Sequence, residues 1–441
     1  MRRLKISENR RFLVWEDGTP FFWLGDTVWE LFHRATLQEA RVYLEDRRQK
    51  GFTVIQTMVL AEFDGLHTPN IYGECPLHGD DPLQPNDAYF RFIDEIVELA
   101  GQKGIFVGLV PTWGDKLELL AHGKGPVIFN PANARGYGGW LGQRYRETEN
   151  IIWINGGDRQ GGGANRPIWE ALADGIKSVD PNHLMTFHPL GGGGGHSSSE
   201  WFHDAAWLDF NLAQSGHERK HHPNYELVSR DYHLLPPKPC LDGEPRYEDH
   251  GVNWKPQEFG WFDDYDVRQA AYWALFAGAF GHTYGCHPVW QLCNERQAPI
   301  TFARRHWREA LDLPGAGQMR HVRTLMESRP ILSRVPDQSL LLEEGTGPEH
   351  RRACRGEGYI FIYLPQGGTV TLNLTSLSGP LLRAWWFDPR MGRCRGGDVF
   401  PSQDQLSFTA PCSGPCSDWV LVLDSAANNF PPPGVEGYWK P

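Results

Sequence analysis

Residues 150–159 read NIIWINGGDR, an apolar run from Asn150 to Asn155 that stops at Gly156, Gly157, Asp158 and Arg159. A run apolar at successive positions, rather than at alternate ones, suits a strand covered on both faces, as in a parallel sheet. Seven more runs of this kind flank it. Pro20–Gly25, Thr53–Leu60 and Ile105–Trp113 lie before it, and His183–Leu190, Leu208–Gln214, Lys238–Gly243 and Ala279–Cys286 lie after it. Amphipathic stretches separate them. In Ala88–Gly104, Ile93, Ile96, Val97 and Ala100 share one helical face, with Asn86 and Asp87 as capping candidates and Gly104 as the stop. A second helix carries Pro167 in its first turn and Ile168, Leu172 and Ile176 on one stripe. A third, from about Asp266, has Asp263, Asp264 and Asp266 at its positive end and is apolar nearly all round, which predicts deep packing. Eight strand-plus-helix units over this length predict an α/β fold, a (β/α)8 TIM barrel over residues 20–334. A doubly wound sheet competes, but no GxGxxG follows an early strand.

The pattern changes after Arg334. Gly358–Leu364, Gly368–Leu374, Leu381–Phe387, Gln405–Thr409 and Trp419–Leu423 are short β-rich runs parted by Gly, Pro and Ser turns. They predict a C-terminal antiparallel β-sandwich over 335–425, followed by an extended tail, 426–441. Residues 1–19 read as an N-terminal hairpin or strand extension around Asp17-Gly18.

The 441 residues carry 43 Lys+Arg against 54 Asp+Glu, a formal charge of -11. That balance argues against nucleic acid or an anionic membrane as partner, because both repel an acidic surface. Apolar stretches such as Ala271–Phe280 are about half of the roughly 20 residues a spanning helix needs. The first residues, Met1-Arg2-Arg3-Leu4-Lys5, lead into no apolar signal region, so the expectation is a cytoplasmic protein, or a secreted or periplasmic one trimmed to its mature end. Eight cysteines are too few for a disulfide scaffold at this length; Cys75, Cys240, Cys286, Cys293, Cys354 and Cys394 are read as free thiols, and no cofactor or metal is expected. Cys412 and Cys416 lack the second pair that a zinc site needs. His217 and His221 have metal-pair spacing without the HExxH order, and Gly191–Gly195 lacks the Lys-Ser/Thr ending of a phosphate loop.

In a (β/α)8 barrel the chemistry sits at the C-terminal strand ends. Those ends offer Asp26 and Trp29 (strand one), Glu62 and Asp64 (two), Trp113 and Asp115 (three) and Asp158 (four). They go on to His188 (five), Gln214 to His217 (six), Asp242 to Glu248 (seven) and His282 to His287 (eight). Carboxylates, imidazoles and indoles therefore meet at one mouth, without an ordered Ser or Cys nucleophile motif. Such a set suits glycoside hydrolysis, which needs one protonated and one ionised carboxyl. Asp158 and Glu244 stand out because strands four and seven face each other across the barrel. Arg159 is expected to turn away from Asp158, since an adjacent guanidinium would lower its pKa and spoil a proton donor. Arg246 is expected near Glu244, keeping it ionised. Asp26, Trp29, Trp113, Asp115, His188, His217, Arg246 and Tyr247 are read as substrate contacts.

Four segments carry a further signal: ENRRFLVWEDGTPFFWLGDTVWELFHR (8–34), NGGDR (155–159), DGEPRYE (242–248) and AWWFDP (384–389). Together they resemble the β-apiosidase family of glycoside hydrolases, over almost the whole chain. The resemblance implies a (β/α)8 barrel joined to a β-sandwich, Asp158 as acid/base and Glu244 as nucleophile. It also implies release of D-apiose from plant glycosides or pectic side chains. The rival expectations are a barrel glycosidase for another pentoside or diglycoside, and a non-catalytic carbohydrate-binding protein.

Overall fold

The computed structural model describes residues 2–120, 123–375 and 379–435. Eight parallel strands form its centre: β1 (Trp23–Thr27), β2 (Val54–Leu60), β3 (Phe106–Thr112), β4 (Ile151–Gly156), β5 (Met185–His188), β6 (Asn211–Gln214), β7 (Cys240–Asp242) and β8 (Gly281–Tyr284). Every residue in them is buried, as the unbroken apolar runs require. Ladders join β8 to β1, then β1 through β5 in sequence, and β6 to β7. Backbone hydrogen bonds close the remaining seams. The Asp209 N–H donates to Met185 O at 2.8 Å between β5 and β6, and the Phe280 N–H to Cys240 O at 3.0 Å between β7 and β8. The ring is the (β/α)8 barrel that the sequence predicts.

The outer layer holds α1 (Leu37–Gln49), α2 (Asp87–Gln102), α3 (Pro131–Tyr145), α4 (Arg166–Lys177), α5 (Asn224–Tyr232), α6 (Asp264–Phe276) and α7 (Pro314–Glu327). The Asn86 side chain caps α2, and Asp263 with Asp266 forms a capping box on α6. After β5 the helix shrinks to one turn, Ser199–Phe202. At the N-terminus, Leu4–Ile6, Leu13–Trp15 and Pro20–Phe21 make a three-stranded antiparallel sheet. Pro20 and Phe21 thus belong to this sheet, and β1 starts only at Trp23. A proline lacks the N–H of an inner ladder and sits naturally on an edge strand.

The C-terminal region is all β: β9 (Arg352–Gly356), β10 (Tyr359–Leu364), β11 (Gly367–Asn373), β12 (Leu381–Asp388), β13 (Arg393–Pro401), β14 (Gln405–Ser413) and β15 (Trp419–Ser425). One antiparallel sheet runs in the order Val335–Pro336, β9, β10, β15, β12, β13, and β11 pairs with β14 in a second. Ile360, Ile362, Leu372, Leu382, Leu421 and Leu423 fill the space between them. β13 escapes sequence reading because RCRGGDVFP is charged, glycine-bearing and half solvated, so no apolar period marks it. Of the tail, Ala426–Asn428 form a 3-10 turn, and residues 436–441 lie outside the described residues.

The sandwich grips the barrel through α6. Tyr272 stacks on Tyr363 (centroids 4.9 Å, 18°), and Arg268 reaches Asp418 through two bonds of 3.0 and 3.1 Å, both side chains buried. This explains why α6 is apolar nearly all round: one face covers the barrel and the other is covered by the sandwich. Among the described residues no helix is long and apolar enough to cross a membrane.

Candidate active site

Gly156 ends β4 at φ +98°, and a Cβ there would stand 2.3 Å from His188 O. Only glycine lets the tips of β4 and β5 come this close. Asp158 follows with φ 55°, a conformation that few non-glycine residues adopt, and its carboxyl enters the barrel mouth. Across the mouth, Glu244 stands two residues beyond β7. Gln56 Nε2 donates to Gly243 O at 3.0 Å, and the Gly216 N–H donates to Glu244 O at 3.1 Å, fixing that backbone. One oxygen of each carboxyl lies within 4.8 Å of the other.

Two imidazoles flank Glu244. His188 Nε2 is 2.8 Å from Oε2, and His217 Nε2 is 3.1 Å from Oε1. Burial works to raise the Glu244 carboxyl, but these contacts overcome it and hold the group down at about 2. Asp158 has the opposite balance. Burial, then the charge of Glu244, raises it to about 6, against smaller opposing pulls from His188, Gln214 and Arg159. One acid is thus poised to be ionised and the other to hold a proton in mildly acidic solution. Burial disfavours charge on His188, yet Glu244 on one side and Asp158 on the other raise it above the ordinary histidine value. Its Nδ1 is 3.0 Å from Pro189 O, so both ring nitrogens face acceptors. Asp158, His188 and Glu244 each present one ligand atom, and these atoms lie within 4.8 Å of one another.

Asp158, His217 and Glu244 line a cavity of about 380 Å³. Trp29 and Trp113 form one wall, with ring centroids 5.0 Å apart and each within 6 Å of His188. The buried Tyr247 hydroxyl sits between Thr27 and Glu244. Of the residues read from sequence, Trp29, Trp113, Asp158, His217, Glu244 and Tyr247 line the cavity, and His188 lies directly behind the two carboxyls. Arg159 turns away from the Asp158 carboxyl: its Nε donates to Glu118 O and its Nη1 to the Asp158 carbonyl, both at 2.8 Å.

Three residues fall elsewhere. Asp26 points out of the barrel to α1, where Tyr43 Oη and Arg47 Nε each donate to it at 2.6 Å. Asp115 folds back onto Lys116 Nζ (2.8 Å) and accepts the Lys124 and Gly125 N–H groups, bracing its own loop. Arg246 lies behind β7, 5.8 Å from the Trp273 ring, and makes no pair with Glu244. None of the three lines the cavity. His221 does not converge with His217; its Nδ1 faces Gln269 at 2.9 Å.

The cavity also gathers residues that were not read as catalytic or substrate-contacting from the sequence. Glu62, at the tip of β2, is raised well above the ordinary glutamate range by burial and then by the charge of Asp158. His250, Trp254, His287 and Trp290 come from the loops after β7 and β8. The signal for Trp254 was present: a tryptophan in the turn-like GVNWKP, outside any apolar run.

With this geometry in place, similarity to known proteins is specific. Residues 7–333 match the family model described as Apiosidase-like, catalytic domain. The chain belongs to the apiosidase-like family of glycoside hydrolases. Residues 335–424 match a model named for the collagen-binding domain of a collagenase. A solved glycoside hydrolase is 34% identical, with 97% of each chain covered and a TM-score of 0.89. A family 5 glycoside hydrolase from Bacteroides vulgatus ATCC 8482 is 33% identical, covering 99% of this chain and 96% of that one, with a TM-score of 0.89. No match is found among curated protein sequences. The protein is therefore a glycoside hydrolase that acts on a carbohydrate substrate.

Proposed function

We propose that this apiosidase-like hydrolase is a retaining, exo-acting β-apiosidase, releasing D-apiose from plant glycosides or pectic side chains. The observation that carries the reading is the spacing of the two carboxyls, whose nearest oxygens lie within 4.8 Å. Retaining enzymes hold the pair about 5–5.5 Å apart, whereas inverting ones need about 6.5–9.5 Å to admit a water. In the proposed reaction Glu244 attacks the anomeric carbon while Asp158 protonates the departing oxygen. Esterification then removes the Glu244 charge, the Asp158 pKa falls, and the same carboxylate draws a proton from the water that frees the sugar.

The cavity supports a small neutral glycone. At about 380 Å³ it lies toward the lower end of ligand cavities, about 300–1,000 Å³. Its lining sets the carboxyls of Glu62, Asp158, Glu218 and Glu244 against the one guanidinium of Arg159, so it offers a uronate little positive charge. The test is incubation with apiin and with aryl glycosides of several pentoses, scoring the monosaccharide formed and its first anomer by NMR. Apiose released with retained configuration is the expected result. An inverted product removes Glu244 as nucleophile, and release of another pentose alone removes the apiosidase assignment.

A further inference from the structure

The loop after β7, residues 248–254, is strained. Asp249, Asn253 and Trp254 all adopt positive φ, at 59°, 53° and 55°. Such conformations persist only where surroundings enforce them, and they gather at ligand clamps. Here the surroundings do so. Arg304 Nε and Arg305 Nε donate to Asp249 at 2.8 and 3.1 Å, and the Asn253 N–H donates to His217 O at 2.8 Å. The Glu248 N–H donates to Gly285 O at 2.9 Å. The strained loop carries two rings to the cavity wall: His250, 4% exposed, and Trp254, 39% exposed.

Hydrogen bonding fixes what His250 can do. Its Nδ1 is 2.8 Å from Gly251 O and must carry the hydrogen. Burial, and the His217 and His287 rings at 4.6 and 4.5 Å, hold its pKa well below the ordinary histidine value, so no second proton is added. Nε2 is then a bare lone pair, and among the described residues no protein donor reaches it. The neighbouring His287 is satisfied within the protein. Its Nδ1 accepts from Trp290 Nε1 at 3.1 Å, which leaves its Nε2 hydrogen for Thr301 Oγ1 at 2.9 Å.

We propose that His250 and Trp254 form a sugar clamp, His250 Nε2 accepting a hydrogen bond from one ring hydroxyl while the Trp254 indole covers a C–H face. The proposal rests on the glycosidase reading and adds a specificity rule: the glycone carries a free hydroxyl at the clamped position, and a deoxy or O-methyl sugar there is discriminated against. His250→Phe keeps the ring beside His217 and removes the acceptor. It should raise KM for the aryl glycoside, and Kd for the free pentose by calorimetry, about 3- to 10-fold, the size of one neutral hydrogen bond. The limbs of the pH–rate profile should stay in place. His250→Gln, which retains an acceptor, should recover most of the loss. With the clamped hydroxyl deleted from the substrate, wild type and His250→Phe should become equal. Trp254→Ala, at an exposed position, should weaken sugar binding similarly and serves as the test if His250→Phe does not fold.

Unchanged affinity in His250→Phe or Trp254→Ala overturns the clamp. So does a loss confined to kcat with a displaced acid limb, which would mean that His250 acts through His217 on Glu244. Wild-type protein that binds a pentose but cleaves no glycoside refutes the hydrolase assignment, and the calorimetric arm still tests the clamp.

Discussion

Glu244→Gln removes one charge and nearly nothing else, and its effect on Asp158 can be worked out. Two unit charges within 4.8 Å interact by about 3.5 kcal/mol at an effective dielectric constant of about 20, equivalent to about 2.5 pH units. The Asp158 side chain is 35% exposed, so solvent screens part of this, and the expected effect is a fall of about 1–2 pH units. Burial, the larger cause of the raised value, is untouched by the substitution, so Asp158 should move from about 6 toward the ordinary aspartate value without fully reaching it. Carbon-13 carboxyl NMR of aspartate-labelled protein measures this directly, the Asp158 resonance being assigned by its loss in Asp158→Asn. In the wild type the same group should set the alkaline limb of kcat/KM. The proton donor is lost as pH rises through about 6, a tenfold fall per pH unit above it, whereas Glu244 limits the rate only near pH 2. An Asp158 that still titrates at about 6 in Glu244→Gln would refute the coupling, and with it the switch from acid to base.

Asp158→Ala should lose about 10²- to 10⁴-fold in kcat/KM on glycosides with poor leaving groups and little on those with acidic phenols, whereas Glu244→Ala should lose turnover on both; steady-state kinetics on a leaving-group series decides. Asp418→Ala leaves the buried Arg268 guanidinium only Asp264 and Gln318 as side-chain partners at the barrel–sandwich contact and should cost about 1.5–3 kcal/mol in denaturant unfolding, with kcat/KM of the folded fraction unchanged.

The ionisation of Glu244 depends on histidines rather than on the arginine two residues along. Arg246 is fully buried, and its Nε and Nη2 have no partner among the described protein atoms. Its place is between β7 and the helix layer, where Asp242 and Asp266 are its opposing charges. His188 and His217 instead approach Glu244 from the tips of β5 and β6, each at a different oxygen. Imidazoles at those positions supply donors without filling the cavity with a long cation, leaving the space beside the Trp29–Trp113 wall open toward both carboxyls.

Asp26 and Asp115 are misplaced for different reasons. Strand ends can be read from sequence because buried parallel strands are unbroken apolar runs, and all eight were found that way. The same lack of alternation hides which side chains face inward. On β1, Thr27 turns toward Tyr247 and the cavity, while its neighbour Asp26 turns outward to Arg47. One residue of register separates a cavity position from a structural ion pair. Asp158 and Glu244 escaped this ambiguity because both lie beyond their strands, next to glycines, where the backbone is no longer bound to period two. Asp115 also lies beyond its strand, but a lysine beside it and two amides in its own loop capture the carboxylate first. Position on the barrel rim is therefore legible in the chain, but side-chain direction is decided by whichever partner captures the group, Arg47 on α1 for Asp26 and its own loop for Asp115, and the apolar pattern encodes neither.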